Sequence, residues 1–310
     1  MVSRGHHSLR SEDAAGFVEE AVVLPHPGRR TRPEMPGYQS AKARRPPAPA
    51  RAESAGLILE SAPPGEADLG VAVPASAGSF GDSVVLEVVI GNDDRRRVTN
   101  VQAFPWRQIC ALRIMARTGR QYVGTGWLIG RHALATAGHC VFLHREEGWA
   151  RFIDVIPALD GTARPFGAIR ATRFRAVDGW VQDKRRDCDY AVIQLDDVHP
   201  GDQLGWFEVA AEVDEDLVGT TVNISGYPAD LDQAARQYFH ARELVNISPE
   251  FLLYDIDTYG GQSGSPIWQT VDDRRVAVGV HTTGGFTENS GTRITPAILD
   301  NFATWREQPL

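Results

Sequence analysis

Three short runs of this chain carry side chains suited to breaking an amide bond. The first is Gly260-Gly261-Gln262-Ser263-Gly264-Ser265-Pro266. A serine hydroxyl is a weak nucleophile at neutral pH. It needs a base to take its proton and backbone N–H groups to receive the oxyanion. Glycines around the serine let the backbone bend so that the Gly261 and Ser263 amides point at one spot, which makes them candidate oxyanion donors. Alone, the run is also that of an ordinary Gly/Ser loop. The second run is Leu134-Ala135-Thr136-Ala137-Gly138-His139-Cys140, preceded by Gly124-Thr125-Gly126-Trp127-Leu128-Ile129. It reads as strand, turn, strand and then a tight turn that presents His139. A histidine near its ordinary pKa of about 6.5 accepts a proton from serine and returns it to a leaving amine. The third is Asp187-Cys188-Asp189-Tyr190-Ala191-Val192-Ile193-Gln194-Leu195. An acid at the head of an apolar strand can orient the imidazole through its far nitrogen and stabilise the imidazolium. Asp189 opens the strand and is the choice; Asp187 and Asp183 are the competitors. The chain order His, Asp, Ser differs from the orders used by subtilisins and α/β-hydrolases.

The elements that must position these residues are β-strands. Gly and Pro recur between short β-rich runs, which predicts an all-β sandwich or barrel. Alternation of period two runs through Tyr190-Ala191-Val192-Ile193-Gln194-Leu195 and partly through Arg275-Val276-Ala277-Val278-Gly279-Val280. One helix is expected at the end. Thr295 is placed to be its N-cap, Pro296 its first residue, and Ile298, Leu299, Phe302 and Trp305 form one apolar face. With 310 residues the chain can form one large or two small domains. A charged fraction of 23% and a hydrophobic fraction of 42% are those of a globular protein. The net charge of −8 argues against nucleic acid as a partner. No apolar run reaches the roughly 18 residues of a membrane span.

Residues 1–87 differ in character, as in Arg44-Arg45-Pro46-Pro47-Ala48-Pro49-Ala50-Arg51. Such a segment buries too little apolar surface to offset the entropy of ordering it. It is expected to be disordered, as a tail or a propeptide. Gly56-Leu57-Ile58-Leu59-Glu60 and Ser83-Val84-Val85-Leu86-Glu87 are its two candidate strands.

Taken together, the motifs resemble those of the bacterial glutamyl endopeptidases, a branch of the chymotrypsin family of serine proteases. The matching segments include Val89-Ile90-Gly91-Asn92-Asp93-Asp94-Arg95, Arg97-Val98-Thr99-Asn100, Thr125-Gly126-Trp127, Ala135-Thr136-Ala137-Gly138-His139-Cys140, Ser225-Gly226-Tyr227-Pro228, Asp257-Thr258-Tyr259-Gly260-Gly261-Gln262-Ser263-Gly264-Ser265-Pro266 and Val280-His281-Thr282. They run from about Val88 nearly to the C-terminus. The resemblance implies two six-stranded antiparallel Greek-key barrels, 88–200 and 201–295, followed by the helix at 296–310. His139 and Asp189 would come from the first barrel and Ser263 from the second, with substrate in the groove between. It implies a serine endopeptidase that needs no cofactor and no metal and acts as a monomer on polypeptides, with neither nucleic acid nor membrane as partner.

Specificity follows from the same resemblance. In this family a histidine on a strand near the nucleophile and a threonine five residues before the serine contact a substrate glutamate, positions that fall on His281 and Thr258. Donors placed for a carboxylate reject apolar side chains, because those donors would be left unpaired. Aspartate, one methylene shorter, is refused by only about 1–3 kcal/mol. Family members begin, once mature, near the Val-Ile-Gly segment and use the new α-amino group beside this pocket. The bond Glu87–Val88 falls there, so Val88 is the expected mature N-terminus, with the cut made by the enzyme itself or by a relative that also cuts after glutamate. Two alternatives stay open: a trypsin-like protease of other specificity, and a catalytically silent homologue that binds a partner.

The three cysteines depart from the family. Many of its members join the cysteine after the catalytic histidine to one just before the Thr-Gly-Trp strand. Here Gly124 occupies that partner position, so no disulfide framework is expected. Cys188 reads as a small apolar filler, and the spacing fits no zinc site. Met1 to Ser8 is followed by no apolar segment of a secretory signal. Family members are mostly exported, and the location stays open between secreted and cytoplasmic.

Overall fold

The structure, a computed structural model, describes residues 5–11, 73–74, 89–195, 198–212, 214–284 and 288–308. The first sheet runs in the order Ser8–Arg10, Arg173–Val177, Ala191–Gln194, Ala133–Thr136, Gln121–Leu128, Ile109–Met115, Phe152–Pro157 and Ile169–Ala171, with Val73–Pro74 added in parallel to Gln121–Leu128. The second sheet closes on itself. Arg274–Gly284 pairs with Pro266–Val271, which leads through Thr221–Gly226, Tyr238–Ile247, Phe251–Tyr254 and Asn289–Arg293 back to Arg274–Gly284. Glu208–Val209 and Arg96–Arg97 attach outside that ring. Ring closure leaves no open edge among the six strands that carry the nucleophile turn and the His281 strand.

The register of the first sheet explains why the histidine motif is short and stiff. Ala191–Gln194 pairs with Ala133–Thr136, so the strand after Asp189 lies against the strand before His139. The expected alternation of burial along Tyr190 to Leu195 does not appear, because all six are buried. The reason is the helix Pro296–Glu307, which covers the strand's second face. Phe302 and Trp305 pack their rings on Tyr190, and the Gln194 amide donates to the Trp305 carbonyl. Arg274–Gly284 is likewise buried nearly throughout. Thr295 stands at the helix N-cap as expected, but its hydroxyl makes no capping bond.

The two sheets share one aromatic seam. Trp127 of the first sheet meets Phe207 edge-on at 5.5 Å, and Phe207 meets Trp268 of the second at 5.5 Å. Trp106 and Phe239 close the cluster. Edge-to-face rings of this kind are favourable beyond the area they bury. The seam holds the sheets in fixed register where their side chains must cooperate.

Two sequence expectations differ in detail. The region before residue 88 is not all tail, since Ser8–Arg10 and Val73–Pro74 join the first sheet. Arg96–Arg97, inside the range expected for the first barrel, pairs with Tyr238–Ile247 of the second. The candidate strands at 56–60 and 83–87, and Val88 itself, lie outside the described residues. Among the described residues no helix is long and apolar enough to cross a membrane.

Candidate active site

His139 sits on a single helical turn, Gly138–Val141, directly after Ala133–Thr136. A side chain on Gly138 would press on the Trp180 ring and on Asp189 Oδ1, so glycine lets the turn approach both. Asp189 leaves the turn Arg186–Cys188 and precedes Ala191–Gln194. Its carboxylate holds His139 twice. Oδ2 takes Nδ1–H at 2.8 Å, and Oδ1 takes the backbone N–H of His139 at 2.9 Å. Both side chains are nearly dry, 3% and 1% exposed. Of the competing acids, Asp187 is held by Arg185 and Asp183 is exposed.

Burial opposes charge on His139, yet its pKa stands well above the ordinary 6.5, because the Asp189 carboxylate favours the imidazolium. With Nδ1 engaged, Nε2 is the remaining ring nitrogen. It is buried and has no hydrogen-bond partner among the described residues. It therefore makes no hydrogen bond to Ser263 Oγ. Such bonds are often long before substrate arrives.

Ser263 is fully buried in a turn that both sheets hold. Its carbonyl accepts the Thr125 N–H of the first sheet at 2.9 Å. The next residue, Gly264, donates its N–H to the His281 carbonyl of the second sheet at 2.7 Å, and His281 N–H returns to the Ser265 carbonyl. Gly264 has φ +88°, and a side chain there would collide with Thr125 O and Thr136 Oγ1. Only glycine serves at that position.

The turn before Ser263 is aimed by its carbonyls. The Gly260 carbonyl accepts the Ala229 N–H at 2.8 Å. Because a trans peptide points its N–H opposite its C=O, the Gly261 N–H faces the other way, and it has no acceptor among the described residues. The Gly261 carbonyl takes the Thr125 hydroxyl at 2.8 Å. Gln262, between the two candidate donors, accepts the Tyr259 N–H on Oε1. Arg95 Nη1 approaches the same oxygen at 3.5 Å. The Arg95 side chain is fully buried and paired with Asp93 and Asp230.

Thr258 and His281 line the adjoining part of the second sheet, and both are buried. Thr258 Oγ1 has no partner among the described residues. His281 shares a 2.6 Å hydrogen bond between Nδ1 and Tyr254 Oη, which fixes its ring. Beside Thr258, the Asp257 carboxylate accepts the N–H groups of Ile90 and Asp94 at 2.7 and 2.9 Å. The chain at Ile90 and Asp94 is thus held next to Thr258.

Thr125, Tyr254, Asp257, Gln262 and Arg95 enter the site without having been singled out in the sequence. Thr125 lies within a quoted motif, but its hydroxyl contact is 136 residues away in sequence. The convergent metal-type clusters are already engaged. In the group Asp94, His240 and Asp257, the Asp257 oxygens hold N–H groups and His240 Nδ1 takes the Asp257 N–H. In the group His6, Asp187 and Cys188, Arg185 holds the carboxylate.

Comparison with known proteins bears on this geometry. The trypsin-like peptidase domain family matches residues 124–280. A glutamyl endopeptidase of Bacillus licheniformis is 38% identical over 229 residues, covering 71% of this chain and 70% of that protein. An extracellular metalloprotease of Bacillus subtilis is 33% identical over 222 residues, with coverage of 71% and 70%. A solved Glu endopeptidase in complex with MPD superposes with a TM-score of 0.64 at 28% identity, over 71% of this chain and all of that one.

Proposed function

The chain belongs to the trypsin-like serine peptidases, in their glutamyl endopeptidase branch, and as such is a serine endopeptidase; on that premise we propose that Ser263, His139 and Asp189 are its catalytic triad and that it cuts after glutamate. Ser263 Oγ attacks the peptide carbonyl while His139 Nε2 takes its proton. The Gly261 and Ser263 N–H groups receive the oxyanion. His139 then protonates the leaving amine, and water releases the acyl group by the reverse steps. Asp189 holds the His139 ring through Nδ1, and its carboxylate stabilises the imidazolium.

One observation carries this reading. Asp189 grips His139 through Nδ1 and the backbone, while Nε2 is buried and open on the side where a proton must arrive. The relative named a metalloprotease does not redirect it, since His240 Nδ1 already accepts the Asp257 N–H and the Asp187 carboxylate beside His6 is paired with Arg185.

The pocket supports a preference for glutamate over aspartate, and for both over apolar residues. The buried Thr258 hydroxyl and the His281 ring, fixed by Tyr254, are donors suited to a carboxylate. Processing at Glu87–Val88 fits the docking of Ile90 and Asp94 on Asp257. The Bacillus subtilis relative is extracellular by name, which supports export of this chain too.

A fluorophosphonate probe tests the nucleophile. Label is expected on Ser263 and absent from Ser263→Ala; label elsewhere, or none, refutes the triad. A peptide library then reads specificity, with cuts expected after Glu far more often than after Leu, Lys or Phe.

A further inference from the structure

Residues 5–11 are separated from the rest of the described catalytic region by a long stretch of chain, yet they are built into it. Ser8–Arg10 forms the edge of the first sheet, antiparallel to Arg173–Val177, with Ser8 opposite Val177 and Arg10 opposite Arg175. Without it, Arg173–Val177 would itself be an edge with open N–H and C=O groups. Ser11 closes one end in both directions, its N–H on the Phe174 carbonyl and its hydroxyl on the Phe174 N–H, each at 2.9 Å.

The other end reaches the back of the acid–base pair. The His7 carbonyl accepts the Asp178 N–H at 2.9 Å, and the Gly5 carbonyl accepts the Gly179 N–H at 3.0 Å. Cys188 Sγ also points at the Gly5 carbonyl, 3.2 Å away. His6 Nδ1 lies 3.0 Å from Tyr190 Oη, and the Asn301 amide donates to the His6 carbonyl at 3.0 Å. Cys188 and Tyr190 flank Asp189 in the chain. Asp178 and Gly179 lead into Trp180, whose ring packs on His139 at 6.2 Å. Every hydrogen bond named here is made by residues outside 12–88, so a cut in that stretch removes none of their donors or acceptors.

From this we infer that residues 5–11 are a detachable strand that stays seated on the enzyme after the chain behind it is cut, and that it acts there as a positioning element for Asp189 and His139. The mode is β-strand addition, in which main-chain bonds give affinity. Cutting converts an intramolecular contact into a bimolecular one and removes its effective concentration. The strand must then hold by its own contacts.

The full chain tests this in two arms. In the first, Ser263→Ala prevents self-digestion, and a site for a sequence-specific protease is inserted between Pro46 and Pro47. After complete cutting, native mass spectrometry is expected to show the N-terminal fragment still bound to the remainder. Gly5→Val in the same protein should release it, because Gly5 has φ +92° and a side chain there would meet Arg185. The change lies in the fragment, so the enzyme's own fold is untouched. Free fragment without that substitution overturns retention.

The second arm uses the cut protein with Ser263 intact and rests on the proteolytic reading. Gly5→Val should lower kcat about tenfold or more at unchanged KM, as displaced reacting groups do. A synthetic peptide of residues 1–12 should restore kcat, and the same peptide with valine at position 5 should not. Unchanged kcat, or no rescue, overturns the positioning role. Absence of activity in every sample would instead sink the proteolytic reading and leave the first arm intact.

Discussion

In the proposed site the two sheets contribute by opposite means. The first provides side chains: His139 and Asp189 form a buried pair in which chemical identity decides everything, and the main chain only delivers them. The second provides, besides the Ser263 hydroxyl, mainly main chain: around it the groups that act are N–H and C=O, and glycines at 261 and 264 leave them room. The first half should therefore fail through substitutions that keep shape and change charge. The second should fail through substitutions that add atoms.

Asp189→Asn breaks the first half at constant volume. It should lower kcat about 10⁴-fold, because an amide no longer fixes the tautomer or stabilises the imidazolium. The sign of its pH effect is a separate check. Asp189 raises the His139 pKa, and His139 must be neutral to act as base, so activity is lost as pH falls through that pKa. Without the carboxylate the acid limb of kcat/KM should move to lower pH while the plateau drops. An unmoved limb would mean that another group titrates.

Gly264→Ala is the counterpart in the second half. The added methyl meets Thr125 O and Thr136 Oγ1, and the turn must shift with its oxyanion donors. Loss of about 10²-fold or more in kcat is expected, the scale of one missing donor, with little change in KM. If kinetics are retained, the turn tolerates displacement and the contrast between the halves is wrong.

His281→Ala sharpens the comparison inside the second sheet, where a side chain does matter. It should lower the ratio of kcat/KM for Glu over Leu substrates by about 10- to 100-fold, the worth of a hydrogen bond to a charged group. If the ratio holds, Thr258 or another group reads the substrate.

The smallest effect is one of stability. The Glu212 carboxyl is pushed up from 4.5 to about 7, first by burial and then by the Asp216 charge. The unfolded chain releases that proton nearer 4.5, so the folded state holds more protons between the two values and loses stability as pH rises across them. Glu212→Gln removes the titration, and its Tm should fall less steeply over that window.

What was legible in the sequence follows the same division. The His139, Asp189 and Ser263 motifs are local runs whose residue types announce their chemistry. The choice of Asp189 over Asp187 rests on its place at the strand's head, and the structure puts Asp187 on Arg185 instead. The last helix is legible from its proline start and apolar period, both local signals. The Thr125 clasp on the oxyanion turn, the Tyr254 bond to His281 and the docking of Ile90 on Asp257 are long-range pairings that no neighbouring residue encodes. Ser8–Arg10 is the extreme case. Its partner strand is more than 160 residues away, and its composition is that of a tail.

Cys140 Sγ lies 2.9 Å from where a side chain on Gly124 would begin, and 3.7 Å from the Ser263 carbonyl. Cys110 and Cys188 are buried as well, and burial lifts both thiols well above their usual range, Cys188 to about 12. No disulfide joins the three cysteines, so the fold requires no oxidant to form one. Dithiothreitol in the assay should leave its rate unchanged, and iodoacetamide should not alkylate Cys110 or Cys188 while the fold is intact.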